Sequence, residues 1–479
     1  MTPTKTLILL LVVLALSGCA RLRNLPGGPL GGPPGMPVPA GDAPDPRPVV
    51  VTGAELDPLL GVAPDDVVAF VFERGQWRQI AVQVDERFVY DPAVGYRGLD
   101  LRRDPTGAMR ALGYADPGTL VGSDPNRDLD ADDEVALLLA DFGAEGVGHP
   151  EGVVARTGTE VAATAGGATR YAYLYRRATP RLDPAAGADL VRYDPSFRRG
   201  SYRQAYDREG RSPPRRPRLV RDPYVSNPEN TTVRTPYYAL GFSDRWILNE
   251  LRIENGPDIL DVDVMGSPIG NCARSPYTAS LGRGAFLVNR DGPVRGIRRV
   301  IGFNSGSLTE VEWVFYPRLA EARLTLRVHP LPGPAVYIDH SAAAQGMRLR
   351  TSTSNWVEID GRPDRLGGAA PAWAMVTGRQ GSYVVDYRVE SSGLRLPPVV
   401  GVYEDDARPR ATPCLLDGSF YGAHGLRLGG EIANTDPSRG RAGDLRIRRR
   451  FAFGGNPEAS LRALQEEVRV RARPVRGGA

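Results

Sequence analysis

An acidic loop near residue 124 has the residue types and the spacing that a calcium ion requires. Six carboxylates fall within residues 124–134, directly before an apolar run at 135–139. A hard cation such as Ca²⁺ takes about six to eight oxygen ligands, and alternate side chains of an extended loop point toward one centre. The sequence therefore predicts a structural calcium site with ligands at alternate positions, namely Asp124, Asn126, Asp128, Asp130 and Asp132.

The loop departs from an EF-hand at two positions. Leu129 stands where the turn glycine belongs, and Val135 stands where the bidentate glutamate belongs. The alternative interpretation is an acidic turn that is solvated or neutralised by arginine. Six close carboxylates repel one another unless a cation or arginine compensates them.

A second set of chemically capable side chains follows from alternation in three segments, 310–316, 322–328 and 335–340. Each segment separates an apolar face from a polar face. If the three are neighbouring antiparallel strands, their polar faces combine into one surface. The candidate ligand-binding or catalytic residues of that surface are Glu312, Tyr316, Arg327, His329, Tyr337 and Asp339.

Tyrosine, histidine, arginine and glutamate together can stack on sugar rings, neutralise uronate carboxylates and move protons. The first hypothesis is carbohydrate binding on this face. The second is a polysaccharide lyase or glycoside hydrolase, with His329 or Tyr337 as base, Arg327 neutralising a carboxylate, and Glu312 or Asp339 completing the acid/base pair. The third is a structural envelope protein without a small ligand, because any half-solvated sheet shows polar residues outward.

Several common functions lack their motifs. The chain has no Gly-x-Ser-x-Gly elbow, no His-Glu-x-x-His, no phosphate loop and no dinucleotide fingerprint. The net charge is only +4, from 60 basic and 56 acidic residues. Composition therefore gives no reason to expect a nucleic-acid partner.

The N-terminus predicts export and lipid anchoring. Lys5 precedes an apolar stretch at 7–16, which is too short to span a bilayer, and the run then closes at Cys19. This arrangement resembles a bacterial lipobox, which implies that Cys19 is acylated and that the protein is anchored to a membrane. Ala20 rather than Asp follows, which by the same resemblance implies the outer membrane.

Short segments rich in Val, Ile, Tyr and Phe, separated by Gly, Pro, Asn and Asp, predict a mainly β fold of antiparallel sandwich domains. One short C-terminal helix is predicted, with Asn456 as N-cap and Pro457 at its first position. The predicted organisation is a signal peptide at 1–18, a Gly/Pro-rich tether at 19–48, a β domain with the acidic loop at 49–180, an Arg/Pro-rich linker or long loop at 181–230 and a β-sandwich domain at 231–479.

Two short motifs carry a resemblance. The run from Trp77 to Arg87, followed later by the run from Asp130 to Val135, resembles a pattern in uncharacterised secreted proteins. Some of those proteins occur near polysaccharide-degradation systems, which implies a carbohydrate connection.

The remaining cysteines, Cys272 and Cys414, are predicted to pair with each other, because two cysteines in an oxidising compartment most often form a disulfide. The pairing requires Cα atoms within about 7 Å of each other.

Overall fold

A computed structural model gives the architecture of most of the chain. It describes residues 44–92, 94, 110–186, 189–196, 230–244, 247–265, 285–301, 309–327, 331–364, 366–408, 419–433 and 443–475. These residues all belong to one compact unit, Val38–Ala479. Cys19, His329, Cys272 and Cys414 lie outside the described residues, so the lipidation and the disulfide stay predictions.

Strands dominate the described residues. The strands before residue 200 are β1 (Pro48–Thr52), β2 (Val67–Glu73), β3 (Gln76–Ile80), β4 (Gln83–Asp85), β5 (Arg87–Tyr90), β6 (Ala111–Tyr114), β7 (Glu134–Leu138), β8 (Val153–Ala165), β9 (Ala168–Arg177) and β10 (Arg192–Asp194). Those from 231 to 340 are β11 (Thr231–Arg234), β12 (Tyr238–Asp244), β13 (Ile247–Ile253), β14 (Leu260–Met265), β15 (Ala285–Arg290), β16 (Gly296–Ile301), β17 (Thr309–Phe315), β18 (Leu319–Leu326), β19 (Leu331–Pro332) and β20 (Ala335–His340).

The later strands are β21 (Arg348–Thr351), β22 (Val357–Glu358), β23 (Trp373–Gly378), β24 (Gly381–Ser392), β25 (Val399–Asp406), β26 (Phe420–Leu428), β27 (Glu431–Ile432), β28 (Asp444–Phe453) and β29 (Arg469–Pro474). Within the described part of the chain, the one α-helix is α1 (Pro457–Gln465). Five short 3₁₀ turns also occur there, at Gly53–Glu55, Asp57–Leu59, Pro64–Asp66, Leu139–Asp141 and Ala342–Ala344.

A nine-stranded sheet, in the order β15-β16-β17-β18-β28-β24-β23-β21-β22, is the largest layer. Two four-stranded sheets have the orders β10-β11-β12-β13 and β14-β20-β26-β25. A five-stranded sheet, β29-β8-β9-β2-β3, and a three-stranded sheet, β1-β7-β4, contain most of the N-terminal strands. Two strand pairs, β5-β6 and β19-β27, complete the list for the described residues.

The main core lies between the nine-stranded sheet and the two four-stranded sheets. Val311, Trp313 and Phe315 alternate along β17 and are buried there, together with Leu240 of β12 and Leu426 of β26. This face-to-face packing of antiparallel sheets is the geometry of a β-sandwich. The predicted fold class is therefore confirmed.

The predicted helix is also confirmed. The side chain of Asn456 accepts hydrogen bonds from the backbone N–H groups of Glu458 and Ala459, and Pro457 occupies the first helical position. Leu461 and Leu464 are buried on the face of α1 that packs against the nine-stranded sheet. Among the residues described, no helix has both the length and the apolar character needed to cross a bilayer.

One expectation about strands was wrong. The segment at 335–340 was expected beside β18. It forms β20 instead, which pairs with β14 and β26 in another sheet. Alternation fixes which face each side chain takes, but it contains no information about the partner strand.

The last described strand, β29, pairs with a strand from the N-terminal part of the chain. β29 pairs antiparallel with β8, from Arg469 opposite Thr164 to Pro474 opposite Thr159. The predicted N-terminal and C-terminal domains therefore share a sheet. The division into two domains stays a prediction.

Candidate functional site on the outer face of the nine-stranded sheet

The face of β17 and β18 that points away from the main core carries charged side chains. Alternation places Glu310 and Glu312 on this outer face, and the register sets Glu312 opposite Arg323 of β18. Thr325 and Arg327 continue the same face. A pocket of about 380 Å³ opens here, and its charged lining consists of Arg299, Glu310, Glu312, Arg323, Arg327, Arg388, Glu390, Arg446 and Arg448.

Arg299 of β16 organises the floor of this pocket. Its Nε and Nη2 donate to Oε1 of Glu310, at 3.1 and 2.7 Å, and its Nη1 donates to the hydroxyl of Tyr90 at 3.2 Å. Its Nε also lies 3.8 Å from Oε2 of Glu312. Tyr90 belongs to β5, so the β5-β6 pair covers one end of the outer face.

The two glutamates of the floor differ electrostatically. Burial acts to raise the pKa of Glu310, but the positive charges of Arg299 and Arg327 outweigh it and leave that pKa below its ordinary value. Burial raises the pKa of Glu312, and the positive charges of Arg299 and Arg323 lower it by less, so the pKa of Glu312 stays above its ordinary value. A pair of carboxyls with pKa values displaced in opposite directions can serve as proton donor and acceptor.

A second pocket of about 280 Å³ adjoins the first, and both are lined by Leu112, Glu312 and Arg323. Tyr316 lies in this second pocket, and its hydroxyl accepts a hydrogen bond from Nη1 of Arg295 at 3.1 Å. The two pockets lie side by side on the outer face, and we call them together the arginine groove.

Arg295 connects the groove to the N-terminal strands. Its Nε donates to Oδ2 of Asp85 at 2.9 Å, and its Nη2 donates to Oε2 of Glu134 at 2.7 Å. Arg87 also pairs with Glu134, and its backbone N–H donates to Asp133 at 2.8 Å. The two motifs that carried the sequence resemblance are thus neighbours, because β4 and β7 pair with Asp85 opposite Glu134.

A row of three arginines crosses the first pocket. Arg323 of β18 stands opposite Arg448 of β28, which stands opposite Arg388 of β24. Arg323 pairs with Glu312 and Glu321, at 3.3 and 2.7 Å, and Arg388 pairs with Glu390. No hydrogen bond or ion pair joins Arg448 to another residue that the structure describes, and its Nε is buried.

Sequence reasoning missed the arginines of β16 and β28. The signal was present in Arg446, Arg448 and Arg450, which occupy alternate positions along the chain, as side chains on one face of a strand do. Their importance depends on the residues opposite them, and those residues come from strands far away in sequence.

Only part of the predicted polar surface assembles. Glu312, Tyr316 and Arg327 lie on the outer face, and His329 lies outside the described residues. Tyr337 and Asp339 belong to β20, on the other side of the main core, where both are buried. Oδ1 of Asp339 accepts the backbone N–H of Tyr421 at 3.2 Å. The expectation that all six residues share one face was wrong, because β20 joins a different sheet.

The core-facing side of the nine-stranded sheet contains buried polar groups of another kind. Nη1 and Nη2 of Arg449 donate to the two carboxylate oxygens of Asp263, at 2.6 and 2.7 Å. The Arg449 guanidinium also lies over the rings of Trp313 and Phe451. This bidentate pair joins β28 to β14 across the sandwich.

A histidine pair lies in the same core. The hydroxyl of Tyr383 is 2.8 Å from Nε2 of His340 and 3.3 Å from Nε2 of His424. Each Nδ1 hydrogen bonds to a backbone carbonyl, of Tyr421 and Gly422 respectively. Burial lowers the pKa of His340 to about 4 and that of His424 to about 3, so both rings are neutral at pH 7.

The acidic loop brings part of the predicted calcium ligand set together. Carboxylate oxygens of Asp130, Asp132 and Asp133 lie within 4.8 Å of one another. The side-chain amide of Asn126 donates to Asp130 at 2.9 Å. Asp128 is exposed and is not part of this cluster. The structure adds Asp133, which the sequence analysis did not include.

Two further observations describe the charge of this loop. Burial and the neighbouring carboxylates raise the pKa values of Asp132 and Asp133 to about 6. Asp124 is 5% exposed, and its buried Oδ2 has no hydrogen-bond partner among the described residues. The calcium site stays a prediction.

No protein family model matches the chain, and no curated protein matches it. Solved structures give weak similarities. A candidate mutarotase from Salmonella typhimurium is 10% identical with a TM-score of 0.33, over 48% of this chain and 91% of that one. A candidate aldose 1-epimerase from Escherichia coli is 12% identical with a TM-score of 0.27, over 46% of this chain and 97% of that one.

An alpha-mannosidase from Enterococcus faecalis is 8% identical with a TM-score of 0.36, over 89% of this chain and 44% of that one. TM-scores and identities this low assign neither a family nor an activity to the chain.

Proposed function

We propose that this chain is a lipid-anchored cell-envelope protein that binds carbohydrate in the arginine groove. The observation that carries the proposal is that two adjacent polar pockets share Glu312 and Arg323 in their linings. A groove that runs along a sheet suits an extended chain of sugar units better than a compact ligand.

The lining of the groove favours sugars on chemical grounds. Guanidinium groups donate several hydrogen bonds in a fixed plane, and carboxylates accept them, so sugar hydroxyls find both kinds of partner. Most small-molecule pockets are lined chiefly by apolar side chains. Here the lining is dominated by arginine, glutamate and tyrosine, which disfavours lipids and other apolar ligands.

Titration of the purified protein with a panel of oligosaccharides tests the proposal. We expect an increase in melting temperature with at least one oligosaccharide, no release of product, and loss of the increase in Arg323→Gln. Arg471→Gln is the matched control, because Arg471 is exposed on β29, away from the groove.

The same titration separates the alternatives. Product release that is lost in Glu312→Gln would replace binding by lyase or hydrolase activity, and His329→Ala would then test the predicted base. No shift and no product with any oligosaccharide would contradict carbohydrate binding and favour a structural envelope protein.

The anchor is tested separately. We expect Cys19→Ala to move the protein from the membrane fraction to the soluble fraction, while Cys272→Ala leaves it in the membrane. Mass spectrometry of the mature protein should find acyl groups on Cys19 as its first residue. An intact Met1 end would contradict the anchor.

A further inference from the structure

The arginine row places like charges directly opposite one another. Arg323, Arg448 and Arg388 occupy three adjacent antiparallel strands. Because neighbouring strands lie about 4.8 Å apart, the three side chains start from positions that span roughly 10 Å. Like charges directly opposite in a sheet are destabilising, so the row costs stability in the absence of an anion.

Compensation within the protein is uneven along the row. The two outer arginines have carboxylate partners, Glu312 and Glu321 for Arg323 and Glu390 for Arg388. Arg448 in the middle has none among the described residues, although its Nε is buried. A buried donor without a partner carries a desolvation cost that a ligand acceptor would remove.

The surrounding pocket keeps an excess of positive charge. Six arginines and three glutamates line it, and two of those glutamates, Glu310 and Glu312, are already engaged by Arg299. Arg327 lies 3.7 Å from Glu310, and its buried Nη1 has no hydrogen bond among the described residues. The excess of arginines, and the lack of a carboxylate partner for Arg448 among the described residues, therefore point to an anion that the ligand brings.

We propose that the ligand of the arginine groove is an anionic carbohydrate, whose carboxylate or sulfate group pairs with Arg448. This inference rests on the proposed function and specifies its ligand class. Guanidinium groups bind carboxylates and sulfates through two parallel hydrogen bonds, in a geometry that lysine cannot reproduce. The glutamates and hydroxyls around the row remain for the sugar ring.

The test compares ligands that differ only in charge. Isothermal titration would use an oligogalacturonate, its fully methyl-esterified form, a sulfated oligosaccharide and a neutral oligosaccharide. We expect the oligogalacturonate or the sulfated sugar to bind at least tenfold more tightly than the uncharged ligands. If the oligogalacturonate binds more tightly than the sulfated sugar, the anionic group is a carboxylate, and if the sulfated sugar binds more tightly, it is a sulfate.

Variants then locate the interaction. Arg448→Gln should weaken binding of the preferred anionic sugar by roughly tenfold to a hundredfold, the range for a hydrogen bond to a charged group. It should leave binding of the methyl ester unchanged. Arg448→Lys should recover only part of the affinity, and Arg471→Gln should have no effect.

Stability provides a second measurement. Arg448→Gln should melt at the same temperature as the natural protein or slightly higher, because it relieves repulsion within the row. A marked decrease in melting temperature would show that Arg448 has a structural role and would overturn its assignment to the ligand.

The outcomes distinguish this inference from the proposed function. Equal affinity for the charged and methyl-esterified forms would overturn the anionic class but leave carbohydrate binding intact. Binding of inorganic polyphosphate without any oligosaccharide, or no binding at all, would contradict both.

Discussion

Arg448 and Arg449 are neighbours in β28, yet they lie on opposite sides of the nine-stranded sheet. Arg449 points into the main core, where its two terminal nitrogens donate to Asp263 and its guanidinium lies over two aromatic rings. Arg448 points to the outer face, between Arg323 and Arg388, without a partner among the described residues.

The difference shows that residue type does not decide the role of a buried charge. A charge taken out of water requires a partner, and the core supplies one for Arg449 through a facing strand. On the outer face, the residues opposite Arg448 are two further arginines, Arg323 and Arg388, which carry the same charge. On the side that holds the sandwich together, Arg449 has a carboxylate partner, although its Nε makes no hydrogen bond with a described residue. On the side that is open to ligands, Arg448 has no carboxylate partner among the described residues.

The strongest test of this contrast is to remove the core arginine. Arg449→Met leaves the Asp263 carboxylate buried without its cation, so we expect the free energy of unfolding to fall by about 3–5 kcal/mol. Urea denaturation measures the change. Arg448→Gln is the matched variant and should alter the same quantity by less than about 0.5 kcal/mol.

If Arg449→Met does not fold, the double variant Arg449→Met with Asp263→Leu provides the comparison. Replacing a buried ion pair by apolar side chains of similar size is often close to neutral. The double variant should therefore fold. Equal losses in Arg449→Met and Arg448→Gln would contradict the contrast between the two faces.

The histidine pair gives a pH test of the core side. The pKa values of His340 and His424 are lowered in the folded protein, to about 4 and about 3, so only the unfolded chain takes up protons near pH 5. Their contribution to stability is complete above about pH 6.5 and is lost as the pH falls toward 4.

We expect His424→Gln to reduce this acid-induced loss. One imidazole fewer lowers the proton uptake on unfolding by about one, so the loss between pH 6.5 and 4.5 should shrink by about 2 kcal/mol. His149→Gln is the control, because His149 is exposed. If His424→Gln and His149→Gln lose the same stability between pH 6.5 and 4.5, groups other than His424 cause the acid-induced loss.

The acidic loop allows a further test, on a cluster of negative charges. We expect a chelator to lower the melting temperature, and calcium at a hundredfold excess over its Kd to restore about 2.7 kcal/mol. Asp130→Asn should abolish the response, and Asp65→Asn should preserve it, since Asp65 is exposed and outside the cluster. A chelator without effect would count against a bound calcium ion.

Local patterns predicted much of the fold. Alternation correctly placed Trp313 in the core and Glu312 on the outer face, and Asn456 with Pro457 marked the start of α1. These features depend on nearest neighbours along one strand or one helical turn, which a single sequence contains.

Long-range pairing accounts for what the sequence did not reveal. Nothing in the segment of Tyr337 and Asp339 specifies that it pairs with β14 and β26 rather than β18. Arg295 contacts Asp85 and Glu134, which are more than 150 positions away along the chain. The lack of a partner for Arg448 likewise depends on three strands that only the folded sheet brings together.

The pairing of β29 with β8 has a consequence for biogenesis. Among the described residues, this edge of β8 is covered by residues 469–474, so it stays open until that segment has been synthesised and has paired. An open strand edge is a template for aggregation and a target for proteases. Products that lack residues 469–474 should therefore be cleared quickly, and substitutions that strain β29 should lower the yield of the protein.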